Sequence, residues 1–403
     1  MALIAAFVYG HPSEKMVVIG VTGTKGKSTT CNIIWQVLTT AGNKVGMTTT
    51  VNFRIGEKEW LNDYKMTMVG RFKLQKLLKE MVEAGCSHAV IETSSEGIMQ
   101  SRHLGINYDM AVFTNLTPEH IRAHGSFDNY KNEKKKLFEN ISKKEKVIDG
   151  KKIEKIIVVN LDNEYVEYFL NHAADKKVKY YKKQLSDIKI NKNGLEFKYK
   201  DVDFKSKLIG GFNLYNILCA ISVGEALNID LEILEKGVEK IQGVPGRMEL
   251  IDEGQDFYVI VDYAYEPVSY KKVLEIIKNL YLEDHKLIAL TGSCGGGRDT
   301  DIMPKKGKLA GQYADHVIIT NEDPYDDDPQ KIIDLVASGV EDKNKLFKIS
   351  DREEGIKKAI SLAKTGDVVL ISGKGAEQKM ALANGKYIDW DDREIARKYL
   401  TKK

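Results

Sequence analysis

A glycine-rich segment at residues 20–30, GVTGTKGKSTT, carries the residue types that bind nucleotide phosphates. Glycines let backbone N–H groups wrap phosphate oxygens, and the positive end of the helix that follows adds attraction. Lys27 would reach the β- and γ-phosphates, and Ser28 would bind Mg²⁺ through its hydroxyl. The strict P-loop spacing is not met, because five residues separate Gly20 from Gly26. The alternative, a βα turn without a ligand, is disfavoured by the preceding strand and by the Gly-Lys-Ser-Thr sequence.

Three further segments place polar side chains where apolar runs end or where a helix begins. They are IETSSEG at 91–97, TNLTPEH at 114–120 and GGFNLYN at 210–216. A carboxylate at a strand end facing a phosphate loop, as Glu92 would be, can bind Mg²⁺ directly. His120 ends the second segment, and Asn213 and Asn216 of the third segment share one helix face. The structural alternatives are an exposed glutamate, a histidine satisfied within the fold, and helix capping by Asn213.

The elements that must position these residues are predicted from hydrophobic patterning. Apolar runs that are typical of buried strands occupy 16–22, 44–50, 87–92, 108–114 and 155–160, and helical stretches include 27–41 and 72–84. Strands that alternate with helices in this way predict a parallel sheet with helices on both faces.

A different pattern follows, in which polar and apolar residues alternate over 180–209 around Asn193-Gly194. This pattern predicts a small antiparallel flap, and two helices are expected after it at 213–227 and 231–241. Gly and Pro then mark a boundary at 243–247, GVPGR. Beyond it the alternation restarts, with strands predicted at 257–261, 286–290, 316–320 and 367–371.

The predicted fold class is therefore α/β with two domains. Residues 1–245 would form a central P-loop domain with a mainly parallel sheet and a short apolar N-terminal segment. Residues 246–403 would form a smaller, Rossmann-like α/β C-terminal domain.

Composition narrows the class of protein. The 403 residues suggest two or three domains, and 61 Lys and Arg against 58 Asp and Glu give a net charge of +3. So small a surplus argues against a nucleic-acid binder. The four cysteines form no Cys-x-x-Cys pair, which disfavours a zinc ribbon or a disulfide framework and favours reduced thiols in a cytoplasmic enzyme.

The N-terminus, MALIAAFVYG, is apolar. It is shorter than the ~20 residues that span a bilayer, and it lacks the features of a signal peptide. A buried first element is the preferred interpretation. A membrane-surface contact, or the remnant of a longer segment, is the alternative.

Several motifs together resemble one family. TGTKGKSTT resembles the TGTNGKTT loop of the Mur ligases, the ATP-dependent amide-forming enzymes of cell-wall peptide synthesis. IETSSEG looks like the E-V-S-S-H-G of their muramoyl-tripeptide synthetase branch, although Glu96 stands where that branch often has histidine. Eight motifs occur in family order between residues 17 and 393. The resemblance implies ATP as the nucleotide and Mg²⁺ as the metal.

The resemblance assigns the nucleotide and metal residues of the central domain. Residues 124–138, HGSFDNYKNEKKKLF, are similar to H-G-S-x-x-x-Y-x-x-x-K-x-x-L-F, in which the family lysine is carbamylated; here it would be Lys134, and a solvated lysine run is the alternative. His120 and Lys134 would join Ser28 and Glu92 around Mg²⁺. The implied nucleotide contacts are Gly23, Thr24, Lys25, Gly26, Lys27, Ser28, Thr29, Asn213 and Asn216.

The acceptor contacts come from two segments. Gln100 and Arg102 match a Q-x-R that touches the muramoyl-peptide substrate in the family, and Thr67 stands where the family has Thr-Thr-Pro. Ser94 and Ser95 complete the implied acceptor set.

In the second domain, GVPGRME at 243–249 resembles the family's hinge, and Arg247 would reach the phosphates. VDYAYEP at 261–267 resembles V-D-Y-A-H-T-P, so Asp262 would bind the ribose. TGSCGGGRD at 291–299 looks like the turn that carries Arg298 near the incoming amino acid, and Cys294 is read there as small filler rather than a nucleophile.

The incoming amino acid would meet Glu322, Asp323 and Tyr325 of NEDPY, and Gly373 and Glu377 of GKGAE, with Glu377 holding the ammonium group. Tyr325 replaces the arginine of the family's D-N-P-R, which grips the distal carboxylate of diaminopimelate. The absence of this arginine argues against diaminopimelate as the incoming amino acid and favours lysine or another amino acid. Glu322 and Asp323 could attract a cationic side chain; exposed turn acids are the alternative.

The implied reaction activates a carboxylate as an acyl phosphate and then forms an amide with an amino acid. The expected partners are small molecules: ATP, an amino acid and a muramoyl-peptide-like acceptor. Because 19 residues precede Gly20, the resemblance implies a form without the family's UDP-binding domain. A related amide ligase with a polyglutamate-type or other peptide acceptor, and a nucleotide-binding subunit without catalysis, are the alternatives.

Overall fold

The computed structural model describes residues 1–118, 121–297 and 300–401. The chain divides into two compact units, Met1–Gln242 and Gly243–Lys403. Within the described ranges, no helix combines the length and apolar character needed to cross a membrane.

The first unit alternates strands and helices along most of its length. Its helices are α1 (Ala2–Val8), α2 (Lys27–Thr40), α3 (Arg71–Glu83), α4 (Ser95–Met99), α5 (Ile121–His124), α6 (Phe127–Ile141), α7 (Val166–Leu170), α8 (Asn213–Ala226) and α9 (Leu231–Glu239). Its strands are β1 (Val17–Thr22), β2 (Val45–Thr48), β3 (Asn52–Ile55), β4 (Lys58–Leu61), β5 (His88–Glu92), β6 (Met110–Phe113), β7 (Val147–Ile148), β8 (Lys151–Lys152), β9 (Ile156–Asn160), β10 (Lys176–Tyr180), β11 (Leu185–Asn191), β12 (Gly194–Tyr199) and β13 (Val202–Ser206).

The main sheet of this unit has the strand order β10-β9-β6-β1-β5-β2-β3-β4 among the described residues. The strands from β10 to β2 pair in parallel, and β3 and β4 pair antiparallel at one edge. The strand β1 lies between β5 and β6, with Val21 opposite Glu92 and Thr22 opposite Phe113. The connection after β1 leads to β2 on one side of it, and the connection after β5 leads to β6 on the other side. Ligands of parallel sheets bind outside the carboxyl ends of strands at such a point.

The predicted parallel sheet is confirmed, and so are its helices on both faces. Alternate strand residues pack with α3, α6 and α7 in one core, where the Phe113 and Phe169 rings stack with centroids 4.1 Å apart. The helices α2 and α8 contact the strands from the other face. The antiparallel edge formed by β3 and β4 was not predicted, because polar side chains interrupt the apolar ones in both strands.

The helix α1 departs from the expected buried first element. Its alanines Ala2, Ala5 and Ala6 are buried, and the helix packs against α3. Its large side chains are exposed: Leu3, Ile4, Phe7 and Val8 all exceed half of their full accessible area. The prediction is therefore right for the small residues and wrong for the large ones.

A buried ionic cluster lies at the end of the sheet opposite the glycine-rich loop. Asp109, just before β6, accepts hydrogen bonds from the backbone N–H of Val18 and from the ammonium groups of Lys146 and Lys155. All three charged residues are less than 5% exposed. Burial lowers the pKa of Lys146 to about 8, in spite of the nearby Asp109 carboxylate.

The flap predicted over 180–209 is confirmed as a three-stranded antiparallel sheet, β11-β12-β13. Its first turn precedes Gly194, which has a φ of 132°, and a Cβ there would lie 1.9 Å from the Ser206 carbonyl oxygen.

The second unit repeats the α/β pattern. Its helices are α10 (Pro267–Tyr281), α11 (Ile302–Tyr313), α12 (Pro329–Ser338), α13 (Arg352–Leu362) and α14 (Asp392–Leu400), and its strands are β14 (Glu249–Ile251), β15 (Tyr258–Asp262), β16 (Leu287–Thr291), β17 (His316–Thr320), β18 (Leu346–Ile349), β19 (Val368–Ser372), β20 (Lys379–Ala381) and β21 (Tyr387–Asp389). The sheet order is β14-β15-β19-β16-β17-β18, parallel except for β14. The four predicted strands are confirmed; the edge strands β14 and β18 were not predicted.

Candidate active site

The glycine-rich loop between β1 and α2 requires glycine for two independent reasons. Gly23 and Gly26 have φ angles of 150° and 80°. A Cβ on Gly23 would lie 2.0 Å from the Thr114 hydroxyl oxygen, and one on Gly26 would lie 2.3 Å from Oδ1 of Asn216. Because Gly26 is also the N-cap of α2, the loop ends at a helix N-terminus, where backbone N–H groups can bind an anion.

Residues after β6 hold this loop in shape. The Thr24 N–H donates to the Asn115 carbonyl at 2.8 Å, and the Lys25 N–H donates to the Asn115 side chain at 2.9 Å. The Lys25 carbonyl accepts from the Thr114 hydroxyl at 2.8 Å. The Thr24 hydroxyl accepts from the Thr117 N–H at 3.0 Å. Sequence reasoning used the TNLT segment only for His120 and missed this supporting role.

Ser28, Lys27 and Glu92 meet where β1 and β5 end. The Ser28 hydroxyl donates to Oε2 of Glu92 at 2.8 Å, and Nζ of Lys27 lies 3.9 Å from Oε1 of the same carboxylate. Glu92 is 2% exposed, so its reading as an ordinary exposed glutamate is wrong. A hydroxyl and a carboxylate are oxygen ligands of the kind that Mg²⁺ prefers, and the donor set therefore fits this metal.

Thr50 is a residue that sequence reasoning missed. Its N–H donates to Oε2 of Glu92 at 2.8 Å, and its hydroxyl lies 2.8 Å from the hydroxyl of Thr67. The loop after β2 thus joins the predicted metal carboxylate to Thr67, a predicted acceptor contact. The signal in the sequence was the strand end itself, since Thr50 follows an apolar run as Glu92 does.

Lys134 lies under the glycine-rich loop. It is 1% exposed, its Nζ donates to the Gly23 carbonyl at 2.8 Å, and it lies 4.4 Å from the centroid of the Tyr130 ring. Its alternative reading as part of a solvated lysine run is therefore wrong. The Tyr130 hydroxyl donates to Thr24 at 3.1 Å. His124 is buried beside Tyr130, and neither ring nitrogen has a hydrogen-bond partner among the described residues.

The two asparagines of α8 are buried and act as a pair. The Asn216 amide donates to Oδ1 of Asn213 at 2.8 Å, and the Asn213 amide donates to the Ile209 carbonyl at 2.8 Å. Phe212, not Asn213, is the N-cap of α8, so the capping alternative is wrong. Asn216 also faces Gly26 and accepts from the Thr30 hydroxyl at 3.3 Å. Thr29 is buried one position before Thr30 in α2.

Two predicted site residues, His120 and Arg298, lie outside the described residues. Their proposed roles stay predictions.

The predicted acceptor residues gather around α4 and the loop before α3. Ser94 is the N-cap of α4 and accepts from the Gly97 N–H at 3.1 Å, and Ser95 is buried. Arg102 donates to the Gln100 side chain at 2.5 Å and to the Met68 carbonyl. Since Met68 follows Thr67 directly, Thr67, Gln100 and Arg102 form one connected group that reaches Glu92 through Thr50.

In the second unit, the predicted ribose contact falls at the carboxyl end of β15. Oδ1 of Asp262 accepts from the Ala264 N–H at 2.8 Å, and Oδ2 accepts from the Met248 N–H at 2.7 Å. The Arg247 guanidinium lies 4.3 Å from the centroid of the Tyr263 ring.

The acids of NEDPY are buried and paired, so their reading as exposed turn acids is wrong. Glu322 and Asp323 are 2% and 3% exposed. Nζ of Lys306 lies 3.6 Å from Glu322, and Nζ of Lys374 donates to Asp323 at 3.1 Å and to Glu377 at 2.9 Å. Burial opposes the charge of Lys374, but the carboxylates of Glu377 and Asp323 outweigh it and raise the pKa of this lysine. Both lysines were missed as partners of these acids.

The remaining predicted residues of this group lie against the same strand ends. A Cβ on Gly373 would lie 2.3 Å from Oε2 of Glu322, and one on Gly296 would lie 2.8 Å from the Tyr325 ring. The Cys294 thiol donates to Oε1 of Glu322 at 3.2 Å, which agrees with a packing role better than with a nucleophile.

Comparison with known proteins places both units in one family. The profile of the Mur ligase middle domain matches residues 21–224, and that of the Mur ligase glutamate ligase domain matches residues 246–375. The chain is 36% identical to a UDP-N-acetylmuramyl-tripeptide synthetase of Roseiflexus sp. (strain RS-1), with 99% of this chain and 81% of that protein aligned.

It is also 36% identical to a UDP-N-acetylmuramoyl-L-alanyl-D-glutamate–2,6-diaminopimelate ligase of Geobacillus kaustophilus (strain HTA426), over 98% of this chain and 81% of that protein. A solved structure of a ligase of the same name superposes with a TM-score of 0.65 at 28% identity and covers 96% of this chain and 79% of that one. The chain therefore belongs to the Mur ligase family of ATP-dependent, amide-bond-forming ligases.

Proposed function

We propose that this Mur ligase joins an amino acid to the carboxylate of a muramoyl-peptide acceptor, in the synthesis of cell-wall precursors in the cytoplasm. The observation that carries the proposal is the hydrogen bond between Ser28 and the buried Glu92, with Lys27 beside them. It joins a phosphate-binding loop to a strand-end carboxylate, as transfer of a phosphoryl group requires.

In the first step, the acceptor carboxylate attacks the γ-phosphate of ATP, and an acyl phosphate and ADP form. Backbone N–H groups of the loop hold the phosphates, and Lys27 stabilises the charge that develops on the γ-phosphate. Ser28, Glu92 and a carbamylated Lys134 would hold Mg²⁺, which supplies further neutralisation of phosphate charge. Arg247 and Asp262 keep their proposed role as nucleotide contacts.

Carbamylation of Lys134 is compatible with its surroundings. The modified nitrogen retains one hydrogen, so it can still donate to the Gly23 carbonyl that the ammonium contacts at 2.8 Å. The two added oxygens would provide anionic ligands close to the glycine-rich loop, where an ammonium provides none.

In the second step, the amine of the incoming amino acid attacks the acyl phosphate, and an amide and inorganic phosphate form. We propose that the amino acid binds near Glu322, Asp323, Tyr325, Gly373 and Glu377. Tyr325 offers no cation to a distal carboxylate. We therefore propose that the side chain of the incoming amino acid carries no carboxylate, and lysine is the first candidate.

The test is ADP release by the purified chain with ATP, Mg²⁺, a panel of amino acids and a panel of acceptors, followed by mass spectrometry of the product. Release that requires both a muramoyl peptide and lysine, with a mass gain of one lysyl residue, supports the proposal. Turnover only with polyglutamate-type or other peptide acceptors would move the enzyme to a different substrate. ATP binding without turnover in any combination would favour a nucleotide-binding subunit. Preference for diaminopimelate over lysine would contradict the role given to Tyr325.

A further inference from the structure

Two guanidinium groups meet at Gln100, and neither belongs to an ion pair within the described part of the chain. Arg71, the first residue of α3, donates to the Gln100 backbone carbonyl, and Arg102 donates to its side-chain oxygen at 2.5 Å. Arg102 also donates to the Met68 carbonyl and lies 3.3 Å from the Met66 sulfur. Sequence reasoning identified Gln100 and Arg102 but gave Arg71 no role.

Such a pair is electrostatically unfavourable without an anion. Partial burial and the charge of Arg71 both lower the pKa of Arg102, and the charge of Glu96 only partly offsets them. Like charges held together destabilise each other. An anion bound between the two guanidinium groups would attract both of them and offset their mutual repulsion. It would also accept charge-assisted hydrogen bonds from their planar sets of N–H donors.

The position of the pair indicates which anion it would meet. Arg102 contacts Met68, the adjacent Thr67 lies 2.8 Å from Thr50, and the Thr50 N–H donates to Glu92. The pair thus belongs to the connected group that ends at the proposed metal carboxylate. Along these contacts, Met68, Thr67 and Thr50 separate the pair from Glu92, and the pair belongs to the proposed acceptor contacts.

The chemistry of the acceptor supplies a suitable group. The acceptor named for the Geobacillus relative ends in glutamate, which carries two carboxylates. Amide formation consumes one of them, and the other keeps its charge throughout the reaction. An uninvolved carboxylate needs a cationic partner in the bound state, because burying it unpaired is costly.

We propose that Arg71 and Arg102 together form a clamp for the non-reacting carboxylate of the acceptor, with Arg71 as a specificity-determining residue. The inference rests on the proposed function, since it takes a dicarboxylate acceptor for granted.

The experiment compares two acceptor probes that differ only at this group: L-alanyl-D-glutamate and its α-amide, each titrated into the full chain with a non-hydrolysable ATP analogue and Mg²⁺. The variants are Arg71→Ala, Arg71→Lys and the control Lys76→Ala, which removes a cation from the exposed face of the same helix. Binding constants come from calorimetry, and KM and kcat come from ADP release with the corresponding muramoyl peptides.

The clamp predicts that Arg71→Ala weakens binding of the acid by about 10- to 100-fold and leaves binding of the amide within about 2-fold. KM for the acid should rise while kcat changes little, and Arg71→Lys should recover part of the loss. Lys76→Ala should match the wild type. A competing excess of inorganic pyrophosphate tests whether the clamp takes phosphate instead, and displacement of the acid from wild type but not from Arg71→Ala would overturn the assignment to a carboxylate.

Equal effects of Arg71→Ala on acid and amide, or none on either, would overturn the clamp, as would failure of the wild type to bind the acid. Binding of the acid without ADP release from any muramoyl peptide would instead overturn the proposed function. The effect of Arg71→Ala on binding of the acid, compared with its effect on binding of the amide, would still test the clamp.

Discussion

The hydroxyl of Ser28 and the carboxylate of Glu92 are joined by a hydrogen bond of 2.8 Å although 64 positions separate them in the chain. Parallel pairing of β1 with β5 brings them together, because Val21 lies opposite Glu92 in the register. The oxygen that accepts from Ser28 also accepts from the Thr50 N–H. Oε2 of Glu92 is thus fixed by two donors, and Oε1 faces Lys27.

Replacing Glu92 with glutamine should remove the anionic ligand and keep much of the local structure. The amide oxygen of the introduced side chain can still accept from Ser28 and from Thr50. We expect kcat to fall by at least about 100-fold, with little change in the melting temperature. Steady-state ADP release and differential scanning calorimetry measure the two effects. The control Glu83→Gln removes an exposed carboxylate of α3 and should leave both unchanged; an equal loss of activity in both variants would exclude a special role for Glu92.

Lys134→Ala tests the proposed carbamate. We expect loss of activity by about 100-fold or more, with partial recovery when formate or acetate is added, because a small carboxylate can occupy the space of the missing group. The control variant is Lys135→Ala, because the ammonium group of the neighbouring Lys135 pairs with Glu139 at 2.9 Å on the surface. Full activity of Lys134→Ala, or an equal response of both variants to acetate, would contradict the carbamate.

Comparison of Gly26→Ala with Gly42→Ala should separate the cost of backbone strain from the cost of a steric clash. Gly26 and Gly42 flank the same helix with φ angles of 80° and 85°, but a Cβ on Gly26 would meet Asn216 at 2.3 Å, whereas nothing lies within 4 Å of one on Gly42. Gly42→Ala should therefore cost about 1–2 kcal/mol from backbone conformation alone. Gly26→Ala should cost more and also raise KM for ATP. Equal destabilisation of the two, measured by urea unfolding, would show that Asn216 moves aside freely.

The strands made of buried apolar runs, and the loops that follow them, could be predicted from the sequence. The strands β1, β5 and β6 are completely or nearly completely buried on both faces, so they form continuous apolar runs in the sequence. Their alternation with helices predicted a parallel sheet, but not the order of its strands. The strand β3 and the edge strands β4, β14 and β18 were not predicted, because partly exposed strands lack such runs.

Side-chain partners were harder to predict than elements. Lys306 and Lys374 neutralise Glu322 and Asp323 across distances of 16 and 51 positions, and no local pattern signals a pairing made only by the tertiary fold. Arg71 was missed for the same reason, since its contact with Gln100 joins positions far apart in the chain. Burial also decided between readings that sequence left open, as for Lys134, which is buried, and its neighbour Lys135, which is not.

Asp109→Asn should destabilise the first unit without direct effect on catalysis. The variant would leave Lys146 and Lys155 buried with no carboxylate between them. Breaking a buried charge pair typically costs about 3–5 kcal/mol. The midpoint of urea unfolding measures this loss, and ADP release per folded molecule should stay close to that of the wild type. Glu145→Gln, which breaks the exposed pair with Lys152, should cost less than about 1 kcal/mol; a similar cost for both would contradict the importance of burial.

The same cluster should make stability depend on pH in a defined direction. Burial lowers the pKa of Lys146 from 10.5 to about 8 in the folded chain. Between these values the unfolded chain binds the proton that the folded chain has lost, so the free energy of unfolding should rise with pH across this window. Lys146→Met removes the titrating group. The difference in unfolding free energy between wild type and Lys146→Met, measured in urea at pH 7, 8, 9 and 10, should be flat below about pH 8 and increase above it in favour of the wild type. A difference that stays constant over the whole range would show that Lys146 keeps its proton in the folded state, held there by Asp109.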